Sequence, residues 1–346
     1  MFDFTDAFLQ QASIHKIGNK ADDEGTQLSA DALDLESMDL RVLLQKFFLS
    51  HFKTEEYYSF NFTEDDLALN PMYNYAKRMF NDGDFHAKTV SIAHYLYEVS
   101  NHPMIKPGDL LVGMIKNVDI KGNRTNAIAI LKVENMQAFL KLEDDLSINS
   151  EKGINIDKID KAAIIFNTEE KDGYRVLIID KANSADAVYW KDDFLKVKPV
   201  SDEFHNTKNF LQMAKTFVVK QLPEDFEVDK TRQIDMLNRS IDFFKKNDTF
   251  AKEEFEKEIF GSKEVIESFN TFFDEYKEAN NVELEDNFEI STQAVKKQAK
   301  IFKSVLKLDK NFHIYIHGNR NMIERGFDDE KNLNYYKVYF SNESTN

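Results

Sequence analysis

The hydrophobic positions change period twice along the chain. Leu40, Leu43, Leu44, Phe47, Phe48 and Phe52 recur at i, i+3, i+4, i+7, a spacing that predicts an amphipathic helix with one apolar stripe. Pro71 suits the first turn of a second helix reaching about Phe80, because its missing N–H has no intrahelical partner there anyway. A third helix, from Phe85 to Val99, would bury Val90, Ala93, Leu96 and Tyr97. Ser13 to Asn19 and the aromatic run Tyr57 to Phe62 alternate as strands do.

After Pro103 and Pro107 the period becomes that of β-structure. Leu110 to Ile115, Ala127 to Val133, Ala162 to Phe166 and Tyr174 to Asp180 are apolar runs at short spacing. The first pair is joined across Gly122-Asn123 and the second across Thr168 to Gly173, which predicts two hairpins of an antiparallel meander. The acidic segment Lys141 to Asp160 between them reads as irregular. From Ser201 the helical period returns, with stripes Phe204, Leu211, Ala214, Val218 and Ile234, Leu237, Ile241, Phe244. Ser262 is placed to cap a helix carrying Val265, Ile266, Phe269, Phe273 and Tyr276. Ser304 to Leu308, Phe312 to His317 and Asn334 to Phe340 read as closing strands.

The expected fold is therefore α+β. Residues 1–200 form a domain of helices with an antiparallel sheet, and residues 201–346 a helix-rich domain ending in short strands. Thirty Phe against one Trp means cores filled by benzyl groups, each contributing about 1.5–3 kcal/mol when buried. Phe243, Phe244, Phe255, Phe269, Phe272 and Phe273 read as core, with a dimer interface as the alternative use.

Composition narrows the chemistry. With no cysteine, disulfides, thiolate nucleophiles and Cys-ligated zinc are excluded. Neither a basic, apolar leader nor a run of about 18 apolar residues is present, so a cytoplasmic chain without a membrane span is expected. Phosphate-loop, dinucleotide and nucleophile-elbow glycine motifs are missing, which counts against an NTPase, a dehydrogenase and a serine hydrolase. No cofactor is expected. His313 and His317 lie four apart in an alternating strand, roughly 13 Å at about 3.3 Å per residue, too far to share a zinc ion with bonds of about 2.0–2.1 Å. They read as polar positions on a strand face, and no metal site is assigned. His86, His94 and His102 also read as ordinary surface histidines.

The net charge of −16, from 45 basic and 61 acidic residues, opposes uniform coating of DNA, whose phosphates dominate non-specific affinity. A local basic face can still bind. Lys296, Lys297, Lys300, Lys303, Lys307 and Lys310 fall within fifteen residues, with Asp309 as the only acid, and Arg320 and Arg325 follow. On a helix from Thr292 to about Phe302, Lys296, Lys300 and Lys303 would share one face. A solvated lysine face is the bland reading and a phosphate-tracking stripe the sharp one. Lys208, Lys215 and Lys220 form a second candidate stripe.

Several segments also occur in a telling order: 107-PGDLLVGMI-115, 130-ILKVE-134, 159-IDKAAIIF-166, 175-RVLIIDK-181, 323-IERGFDDEK-331 and 334-NYYKVYF-340. This series resembles the bacterial 37-kDa nucleoid-associated protein family, the NdpA/YejK type. The resemblance implies a nucleoid location and association with DNA, and carries no catalytic motif. The expected function is binding, through Lys296, Lys297, Lys300, Lys303, Lys307, Arg320 and Arg325 or through a protein partner at the nucleoid, with a homodimer as a further candidate assembly. Two other readings compete. One is a metal-dependent nuclease or nucleic-acid sensor of a defence system, centred on the carboxylates around Glu169-Glu170-Lys171 and Asp180. The other is a dimeric scaffold without DNA contact.

Overall fold

The computed structural model describes residues 2–62, 66–81, 83–181, 189–280, 282–300, 302, 305–315 and 322–342. It divides into two compact units, residues 1–200 and 201–346. The first contains β1 (Phe2–Asp3), β2 (Phe8–Ile17), β3 (Thr26–Leu28), α1 (Met38–Leu49), β4 (Tyr57–Phe60), α2 (Pro71–Asn81) and α3 (Phe85–Val99). It continues with β5 (Gly108–Ile120), β6 (Asn123–Val133), β7 (Gln137–Leu142), β8 (Ile148–Gly153), β9 (Lys161–Phe166), β10 (Arg175–Asp180) and β11 (Val197–Pro199).

The four apolar runs become the centre of one antiparallel sheet, ordered β11-β4-β10-β9-β6-β5-β2-β3, with β1 also paired to β5. Both faces of this centre are buried, which is why the strands read as continuous apolar runs. Leu110, Val112, Ile128, Ile130, Ala163 and Ile165 face α2, α3 and a π-helical turn at Trp190–Leu195. Leu111, Ile115, Ala129, Leu131, Ile164 and Phe166 face the other way, packed with Phe47 and Phe48 of α1.

Strand alternation alone would turn Val118 and Ile120 to the wrong side. The β5–β6 ladder slips between Ile115 and Val118, where Asn117 takes a left-handed φ of 58°. This inserted residue returns Val118 and Ile120 to the face that holds Leu111 and Ile115. On the same face, a Cβ on Gly113 would come within 2.9 Å of Leu9 and 3.0 Å of the Phe48 ring. The bare glycine lets α1 lie against the sheet.

Two histidines stitch β2 to α3. The backbone N–H of Ser29 donates to His15 Nδ1 at 3.3 Å, so His15 carries its proton on Nε2 and donates to Thr89 Oγ1 at 2.9 Å. His86 Nε2 faces the Ser29 carbonyl at 3.1 Å and donates to it, leaving Nδ1 to accept the Ser13 hydroxyl at 2.9 Å. Burial, and then the nearby His86 and His94, push the His15 imidazole down to about 4.

Several expectations needed revision. The segment after Lys141 is no irregular stretch: β7 and β8 pair as a hairpin. Register puts Ala138, Leu140, Leu142 and Ile148 on one face, and Leu140 is 75% exposed. In α1, Leu40 and Leu43 are exposed and only Phe47, Phe48 and Leu49 are buried, so its apolar stripe is covered at one end. Val90 and Tyr97 of α3 are only half-buried, and Ile92 takes the core position instead.

The second unit contains α4 (Glu203–Thr216), a π-helical turn (Phe217–Gln221), α5 (Leu222–Asp225), α6 (Lys230–Lys246), β12 (Thr249–Ala251), α7 (Lys252–Ile259), α8 (Lys263–Asn280), β13 (Asn287–Glu289) and α9 (Thr292–Ala299). Phe210 sits at its centre, with its ring centroid 4.2 Å from that of Phe250 and 5.1 Å from that of Phe255. Phe244, Phe269 and Phe273 join the same core, and Phe272 is half-buried at its margin. The closing strands β14 (Val305–Leu308) with β15 (Phe312–Tyr315), and β16 (Ile323–Asp328) with β17 (Leu333–Val338), form separate two-stranded sheets. The fold is α+β. The sequence reading had no strand at Ile323–Asp328, because Glu324, Arg325 and Gly326 interrupt its apolar alternation.

Gly113→Val is expected to destabilise the first unit by about 1–3 kcal/mol through overpacking against Phe48, read as a lower urea midpoint. Between pH 6.5 and about 4 the unfolded chain protonates His15 and the folded chain does not. This contribution is complete above pH 6.5 and is lost as pH falls, at no more than about 1.4 kcal/mol per unit. His15→Gln, which keeps a donor toward Thr89, should flatten the stability–pH curve over that window in urea titrations.

Candidate nucleic-acid interface

Two helices of the second unit, α4 and α9, start at well-formed caps. Asp202 Oδ1 accepts from the His205 N–H at 3.0 Å, and Ser291 Oγ from the Ala294 N–H at 3.3 Å. The Ser291 N–H also donates to Thr207 Oγ1 at 3.0 Å, which ties the start of α9 to α4. α9 buries Ala294, Val295 and Gln298 and leaves Lys296, Lys297 and Lys300 exposed. In α4, burial of Phe204, Phe210, Leu211, Met213 and Ala214 leaves Lys208, Gln212 and Lys215 half-exposed. Lys215 Nζ lies 5.8 Å from the Phe302 ring and Lys297 Nζ 5.8 Å from the Phe204 ring. Each ammonium group is thus held against an aromatic ring at the seam of α4 and α9.

One of the two lysine stripes, through Lys215 and Lys220, lines a groove of about 350 Å³. Gln212, Lys215 and Thr216 of α4 line it, followed by Val219 and Lys220 of the π-helical turn. α8 contributes Tyr276, and α9 contributes Gln298. Gln298 is on the buried face of α9, turned away from the exposed Lys296 and Lys300, so α9 brings the groove an amide and no lysine. Among the described residues Lys220, Lys296 and Lys300 carry no ion pair. Burial pushes the Tyr276 hydroxyl up from its ordinary value.

The anticipated lysine stripe is shorter than the spacing suggested. α9 ends at Ala299 with Lys300 as its cap, so the i, i+4 pair Lys296 and Lys300 stands and an i+7 continuation on this helix does not. Lys303 and Arg320 lie outside the described residues. Lys307 belongs to β14, opposite His313. Arg325 is exposed on β16, its Nη2 3.4 Å from Asn334 Oδ1, in a hairpin whose tip carries Asp328, Asp329 and Glu330. Gln212, Gln298 and Tyr276 were missed because a neutral residue in a helix gives no charge or spacing signal.

The proposed nuclease centre is not assembled. Glu169 pairs with Arg175 at 2.5 Å, and Glu170 with Lys77 at 2.9 Å. Asp180 is at the far end of β10 and pairs with Lys161 at 2.7 Å. Five residues of strand, roughly 17 Å at about 3.4 Å each, separate Arg175 from Asp180. A different group of charges does converge at the Asp180 end. Lys132 and Lys161 are buried directly opposite each other on β6 and β9, with the Tyr189 ring 5.4 and 5.2 Å from their ammonium groups. Lys132 donates to the Lys106 carbonyl at 2.6 Å, Tyr189 at 2.9 Å and Glu134 at 3.1 Å. Asp160 accepts from the Glu134 and Asn135 amides. These carboxylates serve lysines and backbone amides, and among the described residues no group of three His, Asp or Glu is placed to hold a metal ion. His313 is exposed on β15, and His317 lies outside the described residues.

The family model for nucleoid-associated protein YejK matches residues 13–333. The chain belongs to this family. The match spans the central sheet, the Phe-packed helices and the groove, and nucleoid association is the role the family carries. No curated protein matches the chain. Among the described residues no helix is long and apolar enough to cross a membrane.

Because Lys132 ties the Lys106 carbonyl, Tyr189 and Glu134 together at the end of β6, Lys132→Ala should cost about 3–5 kcal/mol by leaving Glu134 without its buried counter-ion. The loss would appear in thermal denaturation.

Proposed function

We propose that this nucleoid-associated chain contacts DNA directly, through the face where α4 and α9 meet, and that it works in the cytoplasm as a binding protein without catalysis. The observation that carries the reading is that lysines of both stripes flank the seam of α4 and α9, Lys297 over Phe204 and Lys215 over Phe302, with Lys220, Lys296 and Lys300 free of ion pairs among the described residues in a chain of net charge −16. Acidic surface elsewhere repels the duplex, so it favours one orientation over uniform coating. Lys303, Lys307, Arg320 and Arg325 extend the same reading as further phosphate contacts. Lysines held against Phe rings are partly ordered before binding and lose less freedom on meeting phosphate.

A protein partner or a second copy of this chain is the other route to the nucleoid. The exposed aliphatic face of the β7–β8 hairpin favours it, since Leu140, Leu142, Leu146 and Ile148 form an uncovered apolar surface.

A salt titration of binding to a generic duplex separates the two routes. The parent should bind with a log–log salt slope that Lys296→Glu/Lys300→Glu reduces by about 2, roughly one phosphate per lysine. A parent that fails to bind at low salt would overturn direct contact and leave the partner route.

A further inference from the structure

The groove holds a side chain whose polar groups are unused. Gln298 is 1% exposed, its Oε1 is buried without a donor, and its side-chain amide makes no hydrogen bond among the described residues. An amide placed this way loses its hydration and gains nothing from the protein. Around it stand an aromatic ring, Tyr276, and two cations, Lys215 and Lys220. A volume of about 350 Å³ is within the range of small-ligand sites.

These features match the parts of one ligand class. We propose that the groove binds a nucleotide, with Gln298 reading an adenine edge, Tyr276 contacting the base and Lys220 with Lys215 holding the phosphate. The amide offers an acceptor beside a donor. Adenine presents the complementary pair, its N6 amino group beside the N7 acceptor, and guanine presents two acceptors, O6 and N7, at the same edge. Aromatic contact tolerates any base, so discrimination falls to the amide. A nucleotide enters such a groove only when unpaired, and it can come from solution or from a single-stranded stretch of DNA. For the second source alone, the proposal rests on the DNA contact proposed above.

The test is calorimetric titration of the full chain with deoxyadenosine, deoxyguanosine and deoxycytidine monophosphates, and with short oligo-dA and oligo-dC. Adenine should be preferred about tenfold over guanine. Gln298→Met, which keeps the side chain's length without the amide, should abolish that preference and leave the thermal midpoint unchanged or raised. Lys220→Met should weaken all nucleotides alike. Binding of the monophosphate identifies a free nucleotide as the source, and binding of oligo-dA alone identifies a single strand. The proposal is overturned if no probe binds, or if Gln298→Met keeps the preference. It is also overturned if Gln298→Met lowers the midpoint without changing the preference, since the amide would then be structural. Because Gln298→Met leaves Lys296 and Lys300 intact, duplex binding is scored independently, and either reading can fall alone.

Discussion

A sheet buried on both faces must be covered twice, and the first unit is arranged around that requirement. The middle of β5, the second half of β6 and the whole of β9 have no solvent side, so every residue along these stretches must suit an apolar layer or bring its own partner. The left-handed Asn117 is one consequence, because β5 outlasts the register that would keep its apolar residues inside. The bare backbone at Gly113 is another, since a helix with two adjacent Phe rings needs the space. Lys132 and Lys161 are the exception. Opposed on neighbouring strands, they would repel, and they remain only because Glu134, Asp180 and the Tyr189 ring are within reach.

The second unit meets a different constraint. Its helices are strongly charged, and a Phe-packed interior gathers them. Concentrating apolar area in a few large rings lets each helix commit one narrow stripe to the core. On α4 and α9 the positions outside the core are mostly polar and include Lys208, Lys215, Lys296 and Lys297, so the outward surface is polar and carries positive charge on both helices.

Much of this was legible in the residue pattern, for identifiable reasons. The meander was readable because doubly buried strands leave long apolar runs, and α2 and α8 because Pro71 and Ser262 mark their starts. The β7–β8 hairpin was not, since one of its faces carries Lys141, Glu151 and Asn149 and neither face is buried in the core, so its residue pattern is that of a solvated loop. The lysines of α9 stood out as charge, but the end of the helix at Ala299 did not, because no glycine or proline announces it. The groove was invisible for a more basic reason. It depends on three helices meeting, and Gln212, Tyr276 and Gln298 are distant in sequence and individually unremarkable. Likewise His15 looked like a strand residue until α3 brought Thr89 and His86 against it.

Ionic strength acts on the lysine face and on the β7–β8 hairpin in opposite directions. Each molecule carries sixteen surplus negative charges, so two copies approaching through the aliphatic hairpin face repel one another. Dissolved ions screen that repulsion over about 10 Å at 0.1 M and leave the affinity of Leu140, Leu142 and Ile148 for another apolar surface intact. The same ions compete with lysine for phosphate. If both proposed contacts are made, higher ionic strength favours chain meeting chain and lower ionic strength favours chain meeting polyanion. The balance between the two is set by the solvent, with no change of fold.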